Sequence, residues 1–145
     1  MTHEFRGRYK AKRTSDSPVN PSLARLILER EEDGRLPCAI AFAIAGQAKV
    51  TPDEVGRALD LLETKIIRCQ LGLFGYGKER QNIVQPAEKV SAELENAIRW
   101  SLFNGKLPCK TAWEIADRFG LSKMEITAAC EKLNLRISAC QLGTF

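Results

Sequence analysis

Apolar positions fall three and four residues apart in six stretches of the chain, and each stretch opens on a helix-start signal. Leu23 and Ile27 follow Asn20 and Pro21, an N-cap and a first-turn proline, and the acidic run EREED stops at Gly34. Ala41, Ile44 and Ala45 follow Leu36-Pro37-Cys38, and Pro37 suits a first helical turn. Thr51-Pro52-Asp53-Glu54 has the pattern of a capping box, in which a hydroxyl and a carboxylate satisfy amides left over at the helix start, and it leads into Ala58 and Leu62. The second half repeats the sequence of signals. Val90, Leu94, Ile98 and Leu102 recur every four residues after Pro86 and predict a long helix closed by Asn104-Gly105. Ala112, Ile115 and Ala116 follow Leu107-Pro108-Cys109, and Ser122-Lys123-Met124-Glu125 is a second capping box. After Leu62 and after Leu133 the composition turns β-like in KIIRC and LRISAC, so a short strand should close each half.

The halves are copies of one another. A shift of 71 residues aligns 34–74 with 105–145 without a gap, and 16 of the 41 positions are identical, from Gly34/Gly105 to Phe74/Phe145. Leu23/Leu94 and Ile27/Ile98 keep the same offset, so the duplicated unit includes the helix before Leu-Pro-Cys. Each copy also ends on the same string, Cys-Gln-Leu-Gly, at 69–72 and 140–143.

With 145 residues, 44% of them hydrophobic and 28% charged, the chain has the profile of a globular protein of one domain or two small ones. No apolar run reaches the eighteen or so residues of a membrane span, and MTHEFRGRYKAKR leads into polar residues rather than a signal-peptide core, which points to the cytoplasm. The net charge of +4 is concentrated at one end. Arg6, Arg8, Lys10, Lys12 and Arg13 stand against Glu4, and the remaining residues balance to zero. Such an arm suits phosphates or a minor groove.

Residues 111–133, TAWEIADRFGLSKMEITAACEKL, resemble a bacterial helix-turn-helix of the winged-helix and related transcription regulators. The resemblance rests on Ile115-Ala116 in the first helix, Phe119-Gly120-Leu121 at the turn, and Ile126, Ala129 and Leu133 on the inward side of the second. A small residue at Ala116 lets two helices cross closely, and Gly120 allows a left-handed turn. The resemblance implies duplex DNA as a partner. Helical spacing puts Ser122, Lys123, Met124, Thr127 and Lys132 outward, where they would touch bases and phosphates with the basic arm. The first copy departs from the pattern, with Lys49 in place of Gly120 and with Asp53, Gly56, Arg57 and Asp60 on its outward positions.

Four of the five cysteines obey the repeat: Cys38 and Cys109 start a helix, and Cys69 and Cys140 precede Gln-Leu-Gly. Their 31-residue spacing, with His3 the one histidine of the chain, is no zinc or iron-sulfur signature. Buried small hydrophobes account for the four, and a thiol or metal site made of them is the sharper alternative. Trp100, Phe103 and Trp113 read as packing residues. Neither a catalytic constellation nor a phosphate loop is present, so an enzyme and a cofactor are not expected.

The fold expected is mainly α, two tandem three-helix (helix-turn-helix) repeats, each with a short strand or minimal wing. Residues 1–19 form a basic arm, 20–75 repeat 1, 76–92 a linker and the start of the long helix, and 93–145 repeat 2. The function expected is a small DNA-binding transcriptional regulator, monomer or homodimer, with no membrane association. A protein-protein adaptor on the same fold is the alternative, and a thiol or metal sensor the third reading.

Overall fold

The structure, a computed structural model, describes residues 19–76 and 83–145. It is mainly helical. Among the described residues, helix α1 (Pro21–Arg30) is followed by strand β1 (Arg35–Pro37), α2 (Cys38–Ala48), α3 (Pro52–Leu61) and β2 (Lys65–Ile67). The same order then recurs as α4 (Ala92–Trp100), β3 (Leu107–Pro108), α5 (Cys109–Phe119), α6 (Lys123–Lys132) and β4 (Ile137–Ser138).

Local chemistry sets the helix ends. The Asn20 side chain accepts the Ser22 amide at 2.9 Å with Pro21 behind it, and the Ser91 hydroxyl accepts from Leu94 at 3.1 Å. At Ser122 the capping box is reciprocal: its hydroxyl accepts from the Glu125 amide at 3.1 Å, and the Glu125 carboxylate accepts from the Ser122 amide at 2.6 Å. At Thr51 the hydroxyl accepts from Glu54 at 3.2 Å.

Each strand before a helix pairs in parallel with the strand that closes the same half: Leu36 opposite Ile66, and Leu107 opposite Ile137. The closing strand is therefore a partner for the residues before Cys38 or Cys109, and not part of an antiparallel wing. Pro37 and Pro108 end these strands and serve as N-caps, one position earlier than a first-turn proline. Proline has no amide to donate, so the last position of a two- or three-residue ribbon suits it.

Two expectations about the second half are corrected. The helix foreseen from Pro86 starts at Ala92, because 83–91 has no regular structure and sends its amides elsewhere, Ile83 to the Gly72 carbonyl at 3.0 Å and Ala87 to that of Ala128 at 3.0 Å. Asn104-Gly105 does not stop that helix, which ends at Trp100. It forms the tip of a tight two-residue turn, with φ of 51° and 76°, closed by Phe103 and Lys106 exchanging backbone hydrogen bonds at 2.8 and 3.1 Å. Asp33-Gly34 does the same between Glu32 and Arg35.

The described residues fall into two compact units. The first holds 19–69, 74–76 and Gln141–Thr144; the second holds Gln70–Leu73, 83–140 and Phe145. In the first unit Ile27, Leu36, Ala41, Ile44, Val55 and Leu59 are fully buried where α1, α2 and α3 meet. The Thr64 hydroxyl, also buried, donates to the Glu31 carboxylate at 2.8 Å and ties the end of α1 to the start of β2. In the second unit Ile98, Leu107, Ala112, Ile115 and Ile126 form the core of α4, α5 and α6. The non-glycine and glycine positions of positive φ repeat at the same 71-residue offset: 33/104, 34/105, 49/120, 63/134, 68/139 and 72/143.

Candidate nucleic-acid interface

Helices α5 and α6 are joined by Gly120, Leu121 and Ser122, a C-cap and an N-cap with one residue between them. Gly120 closes α5 in the left-handed region (φ 66°, ψ 30°), and its amide returns to Ala116 and Asp117. Ser122 then restarts the chain as N-cap of α6. Ala116, Ile126 and Ala129 fill the angle between the helices and are buried, as their spacing requires. In the first unit Lys49 takes the left-handed position of Gly120 (φ 58°, ψ 43°).

The outward side of α6 differs from what helical spacing implies. Thr127 is 1% exposed, and its hydroxyl turns back towards the carbonyl of Lys123 at 3.5 Å. The segment Gln70–Leu73 of the same unit lies along this side: Gly72 stands against Met124 and Val84, Leu71 is fully buried, and Leu73 lines a cleft of about 560 Å³ with Thr127, Cys130 and Arg136. Thr127 is therefore a packing residue, overturning its assignment as a DNA contact. Lys123 is half-buried with its ammonium 4.5 Å from the centre of the Trp113 ring, a cation–π contact that offsets a positive charge placed at a helix N-terminus. Ser122 is exposed with its hydroxyl used as a cap, and Lys132 is exposed, as are Lys110, Arg118 and Arg136.

The first unit shows the same arrangement more tightly. Gly56, expected to face outward, is buried because α3 runs against the backbone carbonyl of Leu142, leaving no room for a Cβ. The basic residues Arg6, Arg8, Lys10, Lys12 and Arg13 lie outside the described residues.

Cys38, Cys69, Cys109 and Cys130 are buried, Cys140 is partly so, and no disulfide joins any of them. The ribbon register places each repeated pair at one end: Cys38 and Cys69 lie one and two residues past Pro37 opposite Ile67, and Cys109 and Cys140 likewise past Pro108 opposite Ser138. Tyr76 lies in the same neighbourhood. Its hydroxyl donates to the Cys69 carbonyl at 2.7 Å, and its pKa is raised by burial first and then by Cys69 and Cys38, with Arg68 opposing. Among the described residues no three His, Cys, Asp or Glu side chains gather as metal ligands. Cys130 is an inward residue of α6, and burial, with a smaller contribution from Glu131, pushes its thiol up to about 11. That keeps it protonated and unreactive at neutral pH.

Two aromatic residues expected in the core are at the surface. Trp100 is 89% exposed and Phe103 is 70% exposed, whereas Trp113 is half-buried under Lys123. The signal was present in the repeat, since their counterparts at the 71-residue offset are Glu29 and Glu32, which no buried position would take without a partner. No family model, curated protein or solved structure matches the chain. No helix among the described residues is long and apolar enough to cross a membrane.

Proposed function

We propose that the chain is a small duplex-DNA-binding protein of two tandem helix-turn-helix repeats, with the second acting as the reading head. The observation that carries the reading is the α5–Gly120–Ser122–α6 joint, with its left-handed glycine, reciprocal cap and small inward residues. The cover on Thr127 and Met124 narrows the mode of contact. A major groove cannot be read by side chains already packed on Gln70–Leu73, so contact falls to Lys132 and Arg118 at the surface and is weighted towards phosphate rather than base edges. The test is duplex binding across a salt series. Lys132→Gln or Arg118→Gln should each lower the magnitude of the salt slope by about 0.9. Absent or salt-insensitive binding would overturn the reading.

The same cover favours a second reading, a protein-interaction adaptor, in which the helix-turn-helix serves only as a stable frame. Retrieval of a stoichiometric protein partner that survives nuclease treatment, with no duplex binding, would support it.

A further inference from the structure

We infer that the edge of the second unit formed by the end of α4 and the Asn104-Gly105 turn is a binding site for single-stranded nucleic acid, with Trp100 and Phe103 stacking on bases. After α4 the chain continues through i→i+3 hydrogen bonds, Ser101 to Ile98 at 3.1 Å and Leu102 to Arg99 at 3.4 Å. Trp100 ends α4 and Phe103 enters the turn three residues later, and both rings are exposed, 89% and 70%. Lys106 is the hydrogen-bonded partner of Phe103 across the turn, and paired residues of an antiparallel ribbon project from the same face, so the two side chains leave the turn on one face.

The duplication supplies an internal control. The fold holds these two positions at the surface in both copies, and in the first they are Glu29 and Glu32, so the scaffold itself has no need of aromatic rings there. Charge changes with them. Residues 99–110 carry Arg99, Lys106 and Lys110 and no acid, while 28–39 carry Arg30 and Arg35 against Glu29, Glu31, Glu32 and Asp33. Arg99 is held by Glu95 at 2.8 Å, which leaves the exposed Lys106 and Lys110 to meet an anionic ligand. Exposed rings flanked by cations, with acids removed, fit a polyanion that presents planar faces. A duplex hides those faces in its own stack; a single strand offers them. The site shares neither Lys132 nor Arg118 with the proposed duplex contact, and does not depend on it.

The test is titration of the full chain with fluorescein-labelled oligothymidylate of about twenty nucleotides, read by fluorescence anisotropy for every variant and by tryptophan emission as well for the wild type, with a labelled blunt hairpin duplex run in parallel. Stacking should quench the Trp100 emission, and Trp100→Ala with Phe103→Ala should weaken oligothymidylate binding about ten-fold or more. Lys106→Gln should lower the magnitude of the salt slope by about 0.7. The aromatic variants should leave hairpin binding and the thermal midpoint as they were, which separates this site from the duplex reading and from misfolding. Failure of the wild-type chain to bind oligothymidylate, or unchanged binding in the double aromatic variant, overturns the inference and leaves the edge to a protein partner.

Discussion

Lys49 and Gly120 occupy one backbone state with different side chains. Both close a helix in the left-handed region, where a Cβ crowds the following carbonyl and costs an L-residue about 1–2 kcal/mol. Gly120 escapes that term. Lys49 does not, and its side chain is exposed, so little packing would be lost by removing it. Glycine gives back roughly 0.4–1 kcal/mol through the freer unfolded chain. The balance makes Lys49→Gly stabilising by about 0.5 kcal/mol and Gly120→Ala, which would meet no neighbour within 4 Å, destabilising by about the same. Equilibrium unfolding in denaturant would show the two midpoints moving in opposite directions. A loss of stability in Lys49→Gly would mean that its side chain makes a contact that outweighs the strain.

At the scale of elements, two glycines inside helices separate propensity from packing. Gly46 lies in α2 with an exposed position and nothing within 4 Å of an added Cβ, whereas Gly56 lies in α3 against the Leu142 carbonyl. Gly46→Ala should therefore raise stability by about 0.5–1 kcal/mol, the helix-propensity difference alone. Gly56→Ala carries the same propensity gain and should nonetheless lower stability by about 1–3 kcal/mol, because a backbone must move to admit the methyl. Thermal melts of the two variants decide it, and equal shifts would show that α3 is not held where the carbonyl stands.

The same contrast explains what could be read in advance. The six helices were legible because periodicity and caps act within a few residues of one another. The strands at Leu36 and Leu107 were not, since two or three residues carry no period and their pairing with Ile66 and Ile137 spans thirty residues of chain. Asn104-Gly105 fits a helix stop and a hairpin tip equally well by local chemistry, and only the pairing of Phe103 with Lys106 separates the two. For the candidate site, the α5–α6 joint is visible in Gly120 and Ser122, but the burial of Thr127 is not. Helical spacing identifies the side of α6 turned away from α5; it does not reveal that Gln70–Leu73 covers that side.

At the scale of the whole chain, sequence order and structural membership part company at Cys-Gln-Leu-Gly. After Cys69 and after Cys140 the chain makes a six-residue excursion closed on itself, Cys69 to the Phe74 carbonyl and Cys140 to that of Phe145, each at 3.1 Å. The residues inside the excursion count with the unit built from the other copy's helices: Gln141–Thr144 with α1 to α3, and Gln70–Leu73 with α4 to α6. Leu142 is 2% exposed there, and Leu71 is fully buried in its own setting. The consequence is that the last residues of the chain stabilise its first unit. Leu142→Ala should cost about 2–4 kcal/mol through the lost transfer energy of a buried side chain and the cavity it leaves. Its signature is spatial: amide exchange in Pro52–Leu61 should speed up, while Lys123–Lys132, the helix that precedes Leu142 in sequence, keeps its protection. Leu71→Ala should do the reverse. Hydrogen exchange read by mass spectrometry on the full chain distinguishes these patterns. Loss confined to Lys123–Lys132 in Leu142→Ala would show that each tail serves the helices it follows in sequence, and the recurrence of Cys-Gln-Leu-Gly would then need a cause other than reciprocal support.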